Sequence, residues 1–330
     1  MGFPKPGHTP RLVEDEMLER IRHTLGRGIE DTGLRDDAAL VVVPGGGTLV
    51  VSVDSVVEGV HVDRALCSPA DVGWKALMGA VSDLAAMGAR PLGALVALCV
   101  PRPEPGPEPQ PEPEGDLTLG VMEGVAEASR ESGCVVVGGD VSASTVLTVV
   151  VTVMGTVDGG AVVSRGGAQP GDAIFVTGPC GGSAAGLRTL RAERNPTGSV
   201  EQALSRAYRR PVARLADGLV ARAAGAHALI DVSDGLALDL HRVADASGVG
   251  FALDTVPVAA GATLPEALGG GEDYELIVVI GPDDAGAYVE RCAAAGLRPP
   301  RPIGVVLPDP AERRLGGEDL PRLGWQHPIG

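Results

Sequence analysis

Aspartates recur in this chain at the ends of apolar segments, where folding would draw their carboxylates out of water. The segment IDVSDGL (230–236) follows an apolar run and leads into a helical pattern. We therefore expect the helix to begin near Ser233 or Asp234, and Asp231 and Asp234 to face a crevice at the end of a sheet. Helix capping by Asp231 or Ser233 is an alternative interpretation of the same residues.

Asp83 is the most informative carboxylate of the first half, because it lies within the apolar pattern of a helix predicted over residues 70–87. A buried aspartate is destabilising unless it is paired or binds a metal ion. Ser52 and Asp54 share one face of a strand predicted over residues 48–54, the second strand of a hairpin. That polar face fits a strand beside an ion site, and it also fits an ordinary half-exposed strand.

Two glycine-rich segments would let the backbone approach a ligand closely. GGD (138–140) ends a strand that we predict to be buried over residues 134–138, so that Asp140 lies at its carboxyl end. GPCGGS (178–183) is a strand–helix turn without the GK[ST] or GxGxxG pattern, so a binding loop and a tight turn both stay open. Arg165 precedes this turn and could pair with a phosphate oxygen or lie on the surface.

The acidic positions together favour a site for hard cations. Asp36, Asp37, Asp54, Asp83, Asp140, Asp231 and Asp234 supply oxygen ligands without a His/Cys cluster, which selects Mg²⁺ or Ca²⁺ over zinc. Because Mg²⁺ commonly binds substrate phosphates as well, several scattered carboxylates predict a nucleotide site with more than one ion.

Composition narrows the class of protein. The net charge of −16 argues against nucleic acid or a membrane surface as partner, and phosphorylated substrates would need metal ions to offset the repulsion. The five cysteines lack CxxC spacing, which indicates reduced thiols. With no secretory signal pattern and no apolar run of membrane-spanning length, we expect a cytoplasmic protein.

The order of the predicted elements indicates an α/β protein of two domains. Hydrophobic residues make up 44% of the 330 positions and aromatic residues only 2%, so the core must be aliphatic. The proline-rich stretch 101–113 is interpreted as a surface loop within the first domain, with an interdomain linker as the alternative. A boundary near 158–164 gives domains 1–161 and 162–330.

Seven motifs together resemble the thiamine-monophosphate kinase family of the aminoimidazole-ribonucleotide-synthetase-like (AIR-synthetase-like) superfamily. They are DDAA (36–39), SVDSVVEGVH (52–61), KALMGAVSDLAAMGARP (75–91), GGD (138–140), SRGGAQPGD (164–172), IDVSDGL (230–236) and GGEDYEL (270–276). They follow the order of the family and span most of the chain.

The resemblance implies a two-domain AIR-synthetase-like fold, α/β (α+β), in which an N-terminal β-sheet domain forms a dimer barrel and a C-terminal α/β domain follows. It implies a homodimer that phosphorylates thiamine monophosphate to thiamine diphosphate with ATP and several Mg²⁺ ions. We expect direct in-line transfer without a catalytic base, because the acceptor phosphate is already anionic.

The resemblance also assigns roles to individual residues. The implied Mg²⁺ ligands are Asp37, Ser52, Asp54, Asp83, Asp140, Asp231 and Asp234. The implied ATP contacts are Gly139, Asp140, Arg165 and Ser233. The implied contacts to thiamine monophosphate are His61, Glu272 and Trp325. From the residues alone, a lone histidine such as His61 is more often a surface or structural residue. Trp325 is either an anchor for the C-terminus or a stacking platform for a ring, and an aromatic face suits a cationic thiazolium.

Five positions depart from the family pattern. Arg35 replaces a glycine, Val53 and Val141 replace threonines, and Gln326 and Pro328 stand where aspartate and phenylalanine are common. Two rival functions stay open: another ATP-dependent enzyme of the superfamily, and a nucleotide-binding dimer without turnover. The chain lacks the cysteine motifs that selenium chemistry or hydrogenase maturation would use. A purely structural protein would gain stability by removing buried carboxylates, which argues against the second rival.

Overall fold

The computed structural model describes residues 14–25, 35–44, 46–102, 116–158 and 161–327. These residues form nine helices and twelve strands. The helices are α1 (Glu14–Leu25), α2 (Pro69–Ala86), α3 (Leu117–Ser132), α4 (Gly182–Ala192), α5 (Ser199–Arg209), α6 (Leu215–Ala223), α7 (Leu236–Ser247), α8 (Leu264–Gly269) and α9 (Ala285–Ala294). The strands are β1 (Ala39–Val42), β2 (Thr48–Val57), β3 (Arg90–Pro101), β4 (Val136–Ser144), β5 (Thr148–Thr156), β6 (Ala173–Val176), β7 (Ala228–Asp231), β8 (Gly250–Leu253), β9 (Leu276–Ile280), β10 (Arg301–Leu307), β11 (Arg313–Leu315) and β12 (Glu318–Asp319).

The first sheet has the strand order β1-β2-β5-β3-β4. The β3–β4 pair is parallel and connected through α3, whereas the other pairs are antiparallel. Alternation of side chains gives this sheet a covered inner face, on which Val50, Val56 and Val151 pack in one core cluster with residues of α2 and α3. Ser52 and Asp54 lie on the same inner face as Val50, as the spacing in β2 predicts.

Helix α2 is fixed at its start by local sequence. Ser68 and Asp71 form a capping box, in which each side chain accepts a hydrogen bond from the backbone N–H of the other residue. Pro69 suits the first helical position, and thirteen residues of α2 are buried. The helix predicted over residues 70–87 is therefore confirmed to within one residue.

The second sheet has the order β12-β11-β8-β10-β6-β9-β7. All its pairs are antiparallel except β8 with β11. All five residues of β9 are buried and aliphatic, so the predicted aliphatic core is present. The two sheets confirm a two-domain α/β fold, while the boundary that separates 1–161 from 162–330 stays a prediction. No helix among the described residues is long and apolar enough to cross a membrane.

Two predicted elements differ from the structure. The strand expected over 134–138 starts at Val136 and continues through Asp140 to Ser144. Cys134, which precedes it, is buried, but β4 itself is the exposed edge strand of its sheet. Helix α7 begins at Leu236 instead of Ser233 or Asp234.

The N-terminal tail 1–10, most of the proline-rich stretch and Pro328 lie outside the described residues. The five cysteines are free thiols, as predicted.

Close packing of α2 against α3 leads to a stability prediction. A Cβ added at Gly124 would lie 1.8 Å from the carbonyl oxygen of Ala70, whereas a Cβ at Gly286 in α9 would have no neighbour within 4 Å. Gly124→Ala should therefore destabilise the protein by at least about 2 kcal/mol through overpacking. Gly286→Ala should stabilise it by about 0.5–1 kcal/mol, because alanine favours the helix. Thermal unfolding midpoints of both variants check this, and an unchanged midpoint for Gly124→Ala would contradict it.

Candidate functional site

An acidic cluster lies where α2, β2 and the segment before β1 meet. The hydroxyl of Ser52 contacts Asp83 Oδ2 at 2.5 Å and lies 3.1 Å from the carbonyl oxygen of Asp37. Asp83 is partly buried. Burial raises the pKa of Asp83 well above its usual value, and the charges of Asp231, Asp54 and Asp37 raise it further.

The second domain supplies Asp231 to this cluster from the end of β7. Its side chain is 1% exposed, and Oδ2 accepts a hydrogen bond of 2.5 Å from the hydroxyl of Ser82 in α2. Burial and the charge of Asp37 raise the pKa of Asp231 to about 7, although hydrogen bonds from Ser82 and Ser233 oppose the shift. Ser82 was not predicted as a site residue; its position beside Asp83 in a buried helix was the available signal.

Asp54 extends the cluster along β2. Its Oδ1 accepts the N–H of Ser55 at 2.7 Å. Burial raises the pKa of Asp54 to about 6, with further contributions from Glu272 and Asp234. The hydroxyl of Tyr274 is buried in the same region, and burial and nearby carboxylates raise its pKa as well.

Arg165 contributes a cation from the second domain. Its guanidinium pairs with the carboxylate of Asp37, and Nε lies 3.7 Å from Asp36 Oδ1. The backbone N–H of Arg165 also donates to Asp36, whose pKa is nevertheless raised to about 6 by burial and by Asp37. Asp37 Oδ2 is buried without a hydrogen-bond partner.

The residues fit hard divalent cations. The donors are carboxylate and hydroxyl oxygens, and Asp37 Oδ2 is an orphaned buried ligand atom. No three described His, Cys, Asp or Glu side chains already form a group that could chelate an ion. Mg²⁺ usually retains several waters and binds through one or two carboxylates together with substrate phosphates, so it does not require a cage of protein ligands. The structure brings five of the predicted ligands into one cluster, namely Asp37, Ser52, Asp54, Asp83 and Asp231.

Gly139 and Asp140 lie away from the acidic cluster. The register runs from Asp54 through Val151 and Val96 to Gly139, which places β4 three strand spacings, or about 14 Å, from Asp54. Asp140 is exposed and lies on the opposite face of the sheet, since its register partner is Ala97. A single chain does not bring Asp140 to the acidic cluster.

Asp234 is close to the cluster but has other partners. Arg242 Nη1 bonds to Asp234 Oδ2 at 2.5 Å and to Asp239 Oδ1 at 2.8 Å. The cap residue of α7 is Gly235 and makes no side-chain cap, while Asp239 Oδ2 accepts the N–H groups of Asp234 and Gly235. Capping by Asp231 or Ser233 is therefore wrong.

Three rings form a group beside the acidic cluster. The ring of His327 lies 5.1 Å from that of His61 and 5.9 Å from that of Trp325. Trp325 is 40% exposed, while its backbone N–H is anchored to the carbonyl of Asp234 at 2.8 Å. Trp325 thus anchors the C-terminal segment through its backbone and keeps its ring partly exposed. His327 was not predicted, although it stands two positions from Trp325 in the sequence.

His61 is held as a neutral ring. Its Nδ1 accepts the backbone N–H of Val57 at 3.1 Å, which assigns the ring proton to Nε2. Burial, His327 and Lys75 lower the pKa of His61 to about 4.

Glu272 reaches the site from the loop before β9. Its Oε2 lies 2.7 Å from Lys75 Nζ. In the glycine-rich turn 178–183, the backbone N–H groups of Gly181 and Ser183 donate to Asp273 and are not free to bind a phosphate. The tight-turn interpretation of that segment is favoured.

Both halves of the chain match known protein families. The family described as AIR synthase related protein, N-terminal domain, matches residues 35–157, and its C-terminal domain family matches residues 169–315. The thiamine-monophosphate kinase of Bacillus subtilis (strain 168) is 36% identical over 294 residues, covering 86% of this chain and 87% of that protein.

Two further similarities extend over nearly the whole chain. The thiamine-monophosphate kinase of Methanospirillum hungatei JF-1 is 35% identical over 326 residues, covering 96% of this chain and 99% of that protein. The solved structure of AaThiL complexed with AMPPCP and TMP has a TM-score of 0.81 at 29% identity, covering 97% of this chain and 100% of that one.

The crowding of carboxylates gives a prediction for Asp83. Without divalent ions, Asp83→Asn should unfold at the same temperature as the unmodified protein or at a higher one. The substitution removes one carboxylate from a buried cluster of carboxylates that repel each other. Mg²⁺ should raise the unfolding temperature of the unmodified protein by binding the folded state, and that increase should be lost in the variant. Asp283→Asn, at an exposed position, is the control. An equal Mg²⁺ effect in both variants would show that Asp83 holds no ion.

Proposed function

The chain belongs to the thiamine-monophosphate kinase family of AIR synthase related proteins, and from this membership we propose that it transfers the γ-phosphoryl group of ATP to thiamine monophosphate. The product would be thiamine diphosphate. Thiamine-monophosphate kinases match over most of their length, and AaThiL was solved with both AMPPCP and TMP.

One observation carries the proposal: a buried, oxygen-only acidic cluster lies beside an aromatic group that includes the half-exposed Trp325. The cluster suits polyphosphate with Mg²⁺, because acidic side chains alone would repel it. The indole ring and the carboxylate of Glu272 suit the cationic ring of thiamine monophosphate. Asp54 belongs to the acidic cluster and also lies near Glu272, whose charge contributes to raising its pKa. The acidic cluster and the proposed contacts to thiamine monophosphate are therefore neighbours.

Mg²⁺ ions, when bound, would neutralise the charge that develops on the transferred phosphoryl group. The residues that would hold them are Asp37, Ser52, Asp54, Asp83 and Asp231, with Asp234 at the margin of the cluster. Arg165 lies against Asp37 and would offer its guanidinium to an ATP phosphate. Ser233, which hydrogen-bonds to Asp231, would contact ATP from the segment before α7.

The acceptor needs no general base, because a phosphate monoester oxygen is anionic at neutral pH. His61 fits this expectation, since its Nδ1 is occupied by the N–H of Val57 and its pKa is lowered. The ring would orient the substrate through Nε2–H or through its face. We accordingly propose direct in-line transfer without a covalent intermediate on the protein; a phosphorylated side chain trapped during turnover would overturn this mechanism.

Product analysis tests the activity. ATP, Mg²⁺ and thiamine monophosphate should yield thiamine diphosphate, whereas thiamine should yield no phosphorylated product; mass spectrometry identifies both. Asp83→Asn should lower the rate by at least about 100-fold through loss of charge stabilisation, and Asp283→Asn should leave it unchanged. Binding of ATP without formation of the diphosphate would favour another enzyme of the superfamily or a nucleotide-binding dimer without turnover.

The first sheet leaves apolar residues uncovered on its outer face and edge. Val53 is 63% exposed and Leu95 42% exposed, and both pair with Thr152 across the sheet. The edge strand β4 adds exposed Val137 and Val141 and offers unpaired backbone groups. An apolar face that continues into an open edge is typical of a surface covered by association.

We propose that a second copy of the chain covers this face, as the family resemblance implies. A two-fold pairing would bury the same residues on both copies. It would also change the surroundings of Gly139 and Asp140, which a single chain leaves exposed and distant from the acidic cluster. Their roles toward ATP and Mg²⁺ stay predictions that depend on this assembly.

Oligomeric state tests the dimer. Val53→Glu should convert a dimer into a monomer in sedimentation equilibrium, because a charge would be buried against an apolar partner surface. Leu119→Glu is the matched control, since Leu119 is 61% exposed but lies on α3, in the helical layer of the same domain. Dissociation by both variants, or by neither, would contradict the proposed interface.

A further inference from the structure

Lys75 is an unusual residue in this chain. It is one of only two lysines and lies in α2, with 1% of its surface exposed. A buried ammonium group is unfavourable unless it is paired and hydrogen-bonded. The groups that surround the ammonium group therefore indicate its role.

Three groups from separate segments surround the ammonium group. Glu272 Oε2 lies 2.7 Å from Nζ, the carbonyl oxygen of His61 lies 3.4 Å away, and the ring centroid of Tyr208 lies 4.0 Å away. The carbonyl and the aromatic face stabilise a cation without neutralising it. Glu272 is the only carboxylate paired with Lys75 among the described residues.

The backbone at Glu272 is held in an uncommon conformation. Its φ is +67°, in the left-handed region that side chains other than glycine rarely adopt, and Tyr274 nearby has φ +50°. The N–H of Glu272 donates to the carbonyl of Ser233 at 2.8 Å. Such a conformation persists only where surrounding contacts enforce it, so the loop fixes where the side chain begins.

The side chain of Glu272 needs a further restraint, because it lies in the field of other carboxylates. Glu272 and Asp54 both bring carboxylates to this site, and like charges repel each other. Without the ammonium group, this repulsion would favour rotation of Glu272 away from the acidic cluster. Lys75 offsets it from the side of α2.

We propose that Lys75 is a positioning residue, whose ammonium group holds the Glu272 carboxylate in place to contact the phosphate acceptor. Tyr208 and the His61 carbonyl in turn hold Lys75. The inference rests on the proposed function, since it takes Glu272 as a contact of thiamine monophosphate. It gives this buried lysine a role in acceptor recognition and none in the binding of ATP.

Steady-state kinetics of Lys75→Met test the proposal. The KM for thiamine monophosphate should rise about tenfold or more, while the KM for ATP and the kcat at saturating acceptor stay within about threefold. Lys75→Arg, which keeps the charge, should recover part of the acceptor affinity. Arg188→Met removes an exposed ion pair with Glu266 and should change none of these values.

A double variant shows whether Lys75 acts through Glu272. Lys75→Met combined with Glu272→Met leaves no unpaired buried charge, and its acceptor KM should equal that of Glu272→Met alone. This comparison also decides the matter if Lys75→Met by itself does not fold. A further tenfold increase in the double variant, or an unchanged acceptor KM in folded Lys75→Met, would overturn the proposal.

Calorimetric binding of thiamine monophosphate to the unmodified protein separates the two proposals. If the unmodified protein neither binds nor phosphorylates it, the proposed function fails. If it does both and Lys75→Met behaves the same, only the role of Lys75 fails.

Discussion

Mutual repulsion among carboxylates drawn out of water is the constraint on which the rest of this structure depends. Asp83, Asp231 and Asp54 come from three elements, and burial is the largest cause of the raised pKa of each. Charges in such a position persist only when hydroxyls, cations or ions compensate them. Ser52, Ser82 and Arg165 supply part of that compensation, and the site is built so that ions can supply more.

Helix α2 holds this cluster together, because it belongs to the first domain and also contacts residues of the second domain. Asp83 faces Ser52 in its own sheet, whereas Ser82 bonds to Asp231 and Lys75 to Glu272 across the domain contact. A rigid, well-capped helix is the suitable element for this task, since a shift of one residue would move all these groups. The contacts of α2 with the second domain are therefore also contacts within the site.

The C-terminal segment contributes Trp325 and His327 to the site. Leu238 donates its N–H to Leu323 and Trp325 donates to Asp234, so the tail is attached at the start of α7. This attachment brings His327 next to His61, which belongs to the first domain. Backbone hydrogen bonds, which carry no sequence signature, help to hold the tail where the aromatic group forms.

Local sequence determined the elements and the kind of chemistry. The apolar helical pattern predicted α2, whose start the structure shows to be a capping box at Ser68, and aspartates without a His/Cys cluster predicted a site for hard cations. The exposure of β4 and the late start of α7 escaped prediction, because strand order and backbone hydrogen bonds depend on contacts between distant segments. For the same reason only the tertiary structure decided that Ser82, Lys75 and His327 join the site, and that Asp140 lies three strands away from it.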